Sequence, residues 1–215
     1  MYEEVHFSSV QSLMKPGDLF FDIGACDGQT SVLIADKVGP SNVVIIEPAE
    51  KNWSYIKNFW YGHFTEVPRA TYAGFLEAND KPGQDCHSVV FQKNWPNEVA
   101  YPLVTEGELE FRWLHYRDVD PGVAARPAMK LDTLASIVGI PAGFTLDVEG
   151  AEFLVLKGAE KTLKENHPLV WVSIHPAFMQ ERFQTNPSTL HNFMADLGYK
   201  GTLLTSDHEE HWLFL

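Results

Sequence analysis

Asp22, Gly24, Asp27 and Gly28 follow directly on the apolar run Leu19-Phe20-Phe21, and Glu47 closes a second apolar run, Val43-Val44-Ile45-Ile46. Glycines just after a strand let the chain turn tightly and approach a bound molecule, and the N–H groups opening the next helix have no intrahelical partner. An acid at the end of the second strand can accept hydrogen bonds from both hydroxyls of a ribose. The carboxylates then decide which nucleoside fits. A dinucleotide turn reads G-x-G-x-x-G and must accept a pyrophosphate, whereas here the pattern is G-x-x-x-G, with Asp22 before it and Asp27 inside it. Two carboxylates repel a pyrophosphate. They suit a ligand with an ammonium and a sulfonium, and S-adenosylmethionine carries both on an adenosine without phosphate. The plain alternative is an ordinary strand-to-helix turn with Asp27 in solvent; the common register of Asp22, both glycines and Glu47 favours the ligand site.

A second group lies far along the chain. Asp147 and Glu149 follow the apolar run Phe144-Thr145-Leu146, and His175 ends the run Leu169–Ile174. Two carboxylates and an imidazole can move a proton or hold a hard divalent ion such as Mg²⁺ or Mn²⁺. Asp147 and His175 are therefore the expected catalytic pair, and Asp147, Glu149 and His175 the expected ligands of such an ion. His175 reads equally well as a residue satisfied in a strand-to-loop turn. Glu152 reads as a carboxylate stabilised by the N-terminal N–H groups of the helix it opens.

These residues meet only if a doubly wound α/β sheet carries them. The spacing predicts a strand, a helix over about Gln29–Val38 and a second strand, which make one βαβ unit. Glu50–Gly62 carries Trp53, Ile56, Phe59 and Trp60 on one helical face, a stripe that packs on the sheet. Thr71–Ala78 is the expected third strand, with Glu77 near the adenine at its end. Phe144–Leu146 and the continuous apolar run Leu169–Ile174 are the fourth and fifth, with a helix over Ala151–Glu165 between them and another over Pro187–Leu197. Lys200–Leu204 and His211–Leu215, joined by a short connection, form an antiparallel pair. A mostly parallel sheet with one antiparallel strand near its edge follows, with the carboxyl ends of the first, fourth and fifth strands opening on one crevice. Asn79–Met129 departs from this pattern. It is broken by prolines and glycines, shows short strands at Ser88–Gln92 and Glu108–His115, and holds Phe91, Trp95, Tyr101, Phe111, Trp113 and Tyr116. It reads as an added β-hairpin that completes a small core and, compatibly, as the wall of an acceptor pocket.

The 215 residues suffice for one domain over 1–215, with 79–129 as an inserted acceptor-side region. Sixteen basic against 29 acidic residues give a formal charge of −13, which repels a phosphate backbone and makes nucleic acid an unexpected partner. Cys26 and Cys86 form no C-x-x-C, so neither a zinc site nor a disulfide framework is indicated, and a reducing, cytoplasmic setting fits. No stretch has the length of a membrane span, and the first residues carry no signal-peptide pattern. Oligomeric state is not legible.

Phe21-Asp22-Ile23-Gly24-Ala25 with Gly28, Glu47-Pro48, Lys130-Leu131-Asp132-Thr133-Leu134, and Leu146-Asp147-Val148-Glu149-Gly150-Ala151-Glu152 with Leu156-Lys157-Gly158-Ala159 are pieces spread over Leu19–His175. In them the sequence resembles the FkbM family of S-adenosylmethionine-dependent methyltransferases. The resemblance implies a seven-stranded, Rossmann-like class I methyltransferase fold and methyl transfer to oxygen, often on sugars or polyketides. It places Asp22, Gly24, Ala25, Gly28 and Glu47 along the cofactor, and Asp147 at the reacting centre. Asp27, Thr30, Pro48 and Glu77 complete the expected cofactor set. The expectation is an O-methyltransferase acting on a carbohydrate hydroxyl, of a glycan or sugar conjugate. A polyketide or other small-molecule hydroxyl, a dinucleotide-dependent oxidoreductase and a non-catalytic binding module are the alternatives.

Overall fold

The computed structural model describes residues 2–80, 89–91, 95 and 128–215. The strands are β1 Phe20–Ile23, β2 Val43–Ile46, β3 Ala70–Tyr72, β4 Phe75–Leu76, β5 Val89–Phe91, β6 Ala128–Met129, β7 Gly143–Leu146, β8 Leu169–Ile174, β9 Gly201–Ser206 and β10 Glu210–Phe214. The α-helices are α1 Tyr2–Gln11, α2 Gln29–Val38, α3 Glu50–His63, α4 Leu131–Val138, α5 Glu152–Gly158, α6 Glu160–Asn166, α7 Pro176–Phe183 and α8 Pro187–Asp196.

The main sheet has the order β5-β3-β2-β1-β7-β8-β10-β9. β3, β2, β1, β7 and β8 run parallel, β10 runs antiparallel to both β8 and β9, and β5 adds an antiparallel eighth strand at the β3 edge. The expected seven strands are thus present, with β5 supplying a piece of the added β region; Glu108–His115 lies outside the described residues. From β1 the chain winds outward through β2 and β3 on one flank, then returns to place β7 on the other. That reversal opens a crevice at the carboxyl ends of β1 and β7, where ligands of open α/β sheets bind.

Alternation along the strands sorts the core into two layers. Phe20, Val43, Ile45 and Trp171 pack on the side covered by Phe7 and Val10 of α1, Ile34 of α2, and Trp53 and Trp60 of α3. Phe21, Val44, Phe144, Val170 and Val172 face Leu134 of α4, Leu156 of α5, Leu163 of α6, Met179 of α7 and Leu190 of α8. Two expectations change, and for Trp95 the core reading holds. The third strand stops at Tyr72, because Phe75–Leu76 leaves the sheet and pairs with Ala128–Met129 in a separate two-stranded ladder. The helix expected over Ala151–Glu165 is two helices, α5 and α6, meeting at Ala159. Trp95 is core: it is buried against Trp53, Trp60 and Tyr61, and its Nε1 donates to the Tyr61 hydroxyl at 3.3 Å.

Candidate functional site

β1, β7 and β8 are in register, so Asp22 lies beside Thr145 and Thr145 beside Trp171, all on one face of the sheet. This row and the turn from Gly24 to Thr30 line a cavity of about 330 Å³. Its size falls in the range of small-molecule sites, about 300–1,000 Å³. Of the expected cofactor residues, Asp22, Gly24, Ala25, Asp27 and Thr30 line it, and so does Asp147. Gly28, Glu47, Pro48 and Glu77 are not among its described lining residues. Thr145 and Trp171 were not expected, although the alignment of adjacent parallel strands carries the signal for both.

Asp22 is buried, with its carboxylate accepting hydrogen bonds from Ser31 Oγ and, at 2.7 Å, from Thr145 Oγ1. Burial pushes its carboxyl above the usual range, against two hydrogen bonds that favour the ionised form. Asp27 accepts from the Gln29 N–H at 3.1 Å, which shapes the entry into α2. Gly24 and Gly28 both have positive φ, but their reason lies in the protein. A Cβ on Gly24 would meet the Asp147 carbonyl oxygen, and one on Gly28 the backbone of Ile56. Cys26 also lines the cavity; partial burial and the charges of Glu47, Asp27 and Asp147 push its thiol up to about 11, which favours the protonated form at neutral pH.

Glu47 ends β2 as expected, and its carboxylate accepts from the Cys26 N–H at 2.9 Å and the Ala49 N–H at 2.7 Å. Burial raises its pKa to about 7, against those two hydrogen bonds. The folded value therefore exceeds the ordinary 4.5, the unfolded chain ionises first, and this group lowers stability as pH rises from about 4.5 to about 7. The loss amounts to about 3 kcal/mol at most. Glu47→Gln should flatten that part of the stability profile, read by urea unfolding at a series of pH values. The same slope in both proteins would refute the assignment. Glu77 sits elsewhere: its N–H bonds the Met129 carbonyl at 2.9 Å behind β4, not at the end of β3.

Asp147, following β7 and lining the cavity, and His175, following β8 and not among its described lining residues, come together beside it, with His175 Nε2 3.7 Å from Asp147 Oδ1, and this meeting point is the mouth. Glu149 and Gly150 both adopt positive φ, turning the chain so that the Glu152 carboxylate accepts the Gly150 N–H at 2.9 Å. The same Oε1 lies 2.9 Å from His175 Nδ1, so Nδ1 is the donor. Glu152 does open a helix, but it is also the fully buried partner of His175. On the other side, His175 Nε2 is 2.7 Å from Glu209 Oε2, 3.7 Å from Asp147 Oδ1 and 3.9 Å from Glu149 Oε2. Glu209 was missed. It lies in the turn before β10, and because β10 runs antiparallel to β8 with Glu210 opposite Ile174, that turn necessarily sits beside His175. Its Oε1 is 3.2 Å from Nε2 of His211, whose ring stacks on Trp171 at 5.2 Å.

Burial alone would lower the His175 value, but the hydrogen bond to Glu152 and the charges of Asp147, Glu152 and Glu149 prevail and raise it to about 9. With no ion beside it, His175 is therefore held toward the imidazolium form. Asp147 moves up from the carboxylate range through burial, which outweighs the pull of His175 and is reinforced by Glu209, Glu149 and Glu152.

No curated protein sequence matches the chain. Its structure is similar to that of methyltransferase FkbM from Methylobacillus flagellatus KT, with TM-score 0.56 and 17% identity over 94% of this chain and 45% of that one. This chain thus spans less than half of that protein. It is also similar to precorrin-6y C5,15-methyltransferase from Geobacter metallireducens GS-15, with TM-score 0.52 and 7% identity over 99% of this chain and 85% of that one. A third neighbour is magnesium protoporphyrin IX methyltransferase from Synechocystis PCC 6803 with bound SAM, at TM-score 0.50 and 11% identity over 99% and 75% of the two chains. At such identities these likenesses show the fold, that of class I methyltransferases. Among the described residues no helix is long and apolar enough to cross a membrane. The family profile described as Methyltransferase FkbM domain matches residues 22–200: the chain belongs to the FkbM methyltransferase family.

Proposed function

We infer that the protein is an S-adenosylmethionine-dependent O-methyltransferase acting on a carbohydrate hydroxyl. The observation that carries this reading is the chemistry of the cavity wall. Asp22, Asp27 and Asp147 line it, and no Lys or Arg is among its described lining residues. Such a wall fits a ligand bearing an ammonium and a sulfonium and disfavours a pyrophosphate. The neighbour described with bound SAM supports the same ligand. S-adenosylmethionine, when bound, supplies a methyl group already activated by its sulfonium. In this reading Asp22, Ala25, Asp27 and Thr30 hold its charged end, and Glu47 receives the ribose hydroxyls.

What remains for the chain is to orient a hydroxyl and take its proton. Asp147 is the acceptor of that proton, because its carboxylate is more basic than an ordinary one and makes no hydrogen bond within the described residues. While no ion is bound, His175, held by Glu152 and Glu209, carries the positive charge that stabilises the developing negative charge beside it; a bound cation would take over that role with Nε2 deprotonated. A divalent cation at the same mouth would lower the hydroxyl's pKa further. The carboxylates of Asp147, Glu149 and Glu209 are acceptors suited to the vicinal hydroxyls of a sugar.

The test is a screen of sugar acceptors with methyl-labelled S-adenosylmethionine, preceded by a thermal-shift comparison of S-adenosylhomocysteine with NAD. Stabilisation by S-adenosylhomocysteine and label on a sugar oxygen are expected. No shift with S-adenosylhomocysteine would overturn the cofactor, and label found only on nitrogen or carbon would overturn the O-methyl assignment.

A further inference from the structure

Beside the cavity, donors from three elements converge on one point. One donor atom each of Asp147, His175 and Glu209 lies within 4.8 Å of the other two, and His175 Nε2 is 3.7 Å from Asp147 Oδ1 and 2.7 Å from Glu209 Oε2. They arrive from the end of β7, the end of β8 and the turn before β10. An imidazole stands at the centre of the group, and its direction is fixed from behind. Glu152 is 0% exposed, holds Nδ1 at 2.9 Å through Oε1, and leaves Oε2 buried with no hydrogen-bond partner among the described residues. A buried carboxylate behind a histidine is the arrangement that aims the other ring nitrogen at a metal and raises its basicity.

A proton on Nε2 accounts for only part of the geometry. It can be shared with Glu209 at 2.7 Å, but Asp147 at 3.7 Å is beyond hydrogen-bond length. The Asp147 carboxylate makes no hydrogen bond within the described residues, although it faces the same nitrogen. A divalent ion roughly 2 Å from each donor would serve all three at once.

We propose that Asp147, His175 and Glu209 form a divalent-cation site, with Glu152 as the positioning residue for His175. Glu149, expected from sequence as a ligand, stays outside it: its side chain is 62% exposed and 3.9 Å from Nε2. One imidazole with two carboxylates selects a first-row ion such as Mn²⁺ over Mg²⁺, which favours all-oxygen surroundings. The second Asp147 oxygen remains available to a hydroxyl. The cation also ties the β9–β10 turn to the sheet, so the mouth gains its third wall from a segment remote in sequence.

This inference rests on the mouth being the reacting centre, yet it can be tested without the reaction. The full chain, free of cofactor and acceptor, is titrated with MnCl₂ and followed by calorimetry and by loss of the free Mn²⁺ paramagnetic resonance signal. One ion per chain should bind, with Mg²⁺ at least about tenfold weaker. His175→Gln and Glu209→Gln should each weaken Mn²⁺ by about tenfold or more, since even an orienting partner is worth that much. Glu149→Gln should bind as the parent does. If His175→Gln does not fold, the Glu209→Gln and Glu149→Gln pair still decides. No Mn²⁺ bound by the parent chain, or Glu209→Gln binding it unchanged, overturns the site. A parent chain that transfers methyl groups yet binds no Mn²⁺ loses only the cation; one that binds Mn²⁺ but not S-adenosylhomocysteine loses only the proposed function.

Discussion

Asp147→Asn should lower single-turnover methyl transfer by about 10²–10⁴-fold, the usual worth of a positioned acid or base, while S-adenosylhomocysteine affinity changes by less than about threefold. The substitution is nearly isosteric, and the backbone that holds the residue is untouched: the Asp147 N–H bonds the Ile23 carbonyl at 3.0 Å and its own carbonyl abuts Gly24. What disappears is the ionisable carboxyl beside His175, the proposed proton acceptor. The pH profile carries the same information. Because burial and neighbouring carboxylates lift Asp147 above its ordinary 3.8, turnover in the parent should fall as pH drops through a value well above 4, as the base is protonated. A residual rate in Asp147→Asn should lack that limb. Full activity of the variant at saturating acceptor would remove Asp147 from the chemistry.

Local pattern carried the central elements because local physics decides them. α2 spans Gln29–Val38 as its periodicity predicts, since Gly28 and Gly39, both at positive φ, bound it on either side. β8 matches Leu169–Ile174 because a strand buried on both faces is a continuous apolar run. Most of the failures are decisions made by distant residues. Phe75–Leu76 looks like more of β3 until Ala128–Met129 arrives to pair with it. α7 has Met179 as its buried residue and hence no apolar stripe to read. Glu152 looked like a helix-opening acid because its partner, His175, stands on another strand. Glu209 required knowing that β10 lies against β8 and runs the opposite way. The chemistry of the cavity was visible in Asp22, Asp27 and Asp147, whereas the donors that gather round His175 depend on the register of strands.

Gly24→Ala should destabilise the fold by about 3–5 kcal/mol, a sum of two costs that can be separated. The first is conformational: Gly24 has φ +86°, and a side chain in the left-handed region costs roughly 1–2 kcal/mol. The second is a collision. An added Cβ would stand 1.7 Å from the Asp147 carbonyl oxygen and 2.8 Å from its carbon, so β1 and β7 must part at their carboxyl ends. Overpacking against side chains that can yield costs about 1–3 kcal/mol, and here the obstacle is backbone, which yields less. Gly17→Ala isolates the first cost, because Gly17 has φ +91° with nothing within 4 Å of an added Cβ. In urea unfolding, Gly17→Ala should lose about 1 kcal/mol and Gly24→Ala several times that, with a melting temperature lower by roughly 10 °C in a domain of this size. Where Gly24→Ala remains folded, the displaced Asp147 should also slow turnover more than it weakens S-adenosylhomocysteine. Equal losses in the two variants would mean that Gly24 is required for its backbone angle alone and that the strand ends are not in contact there.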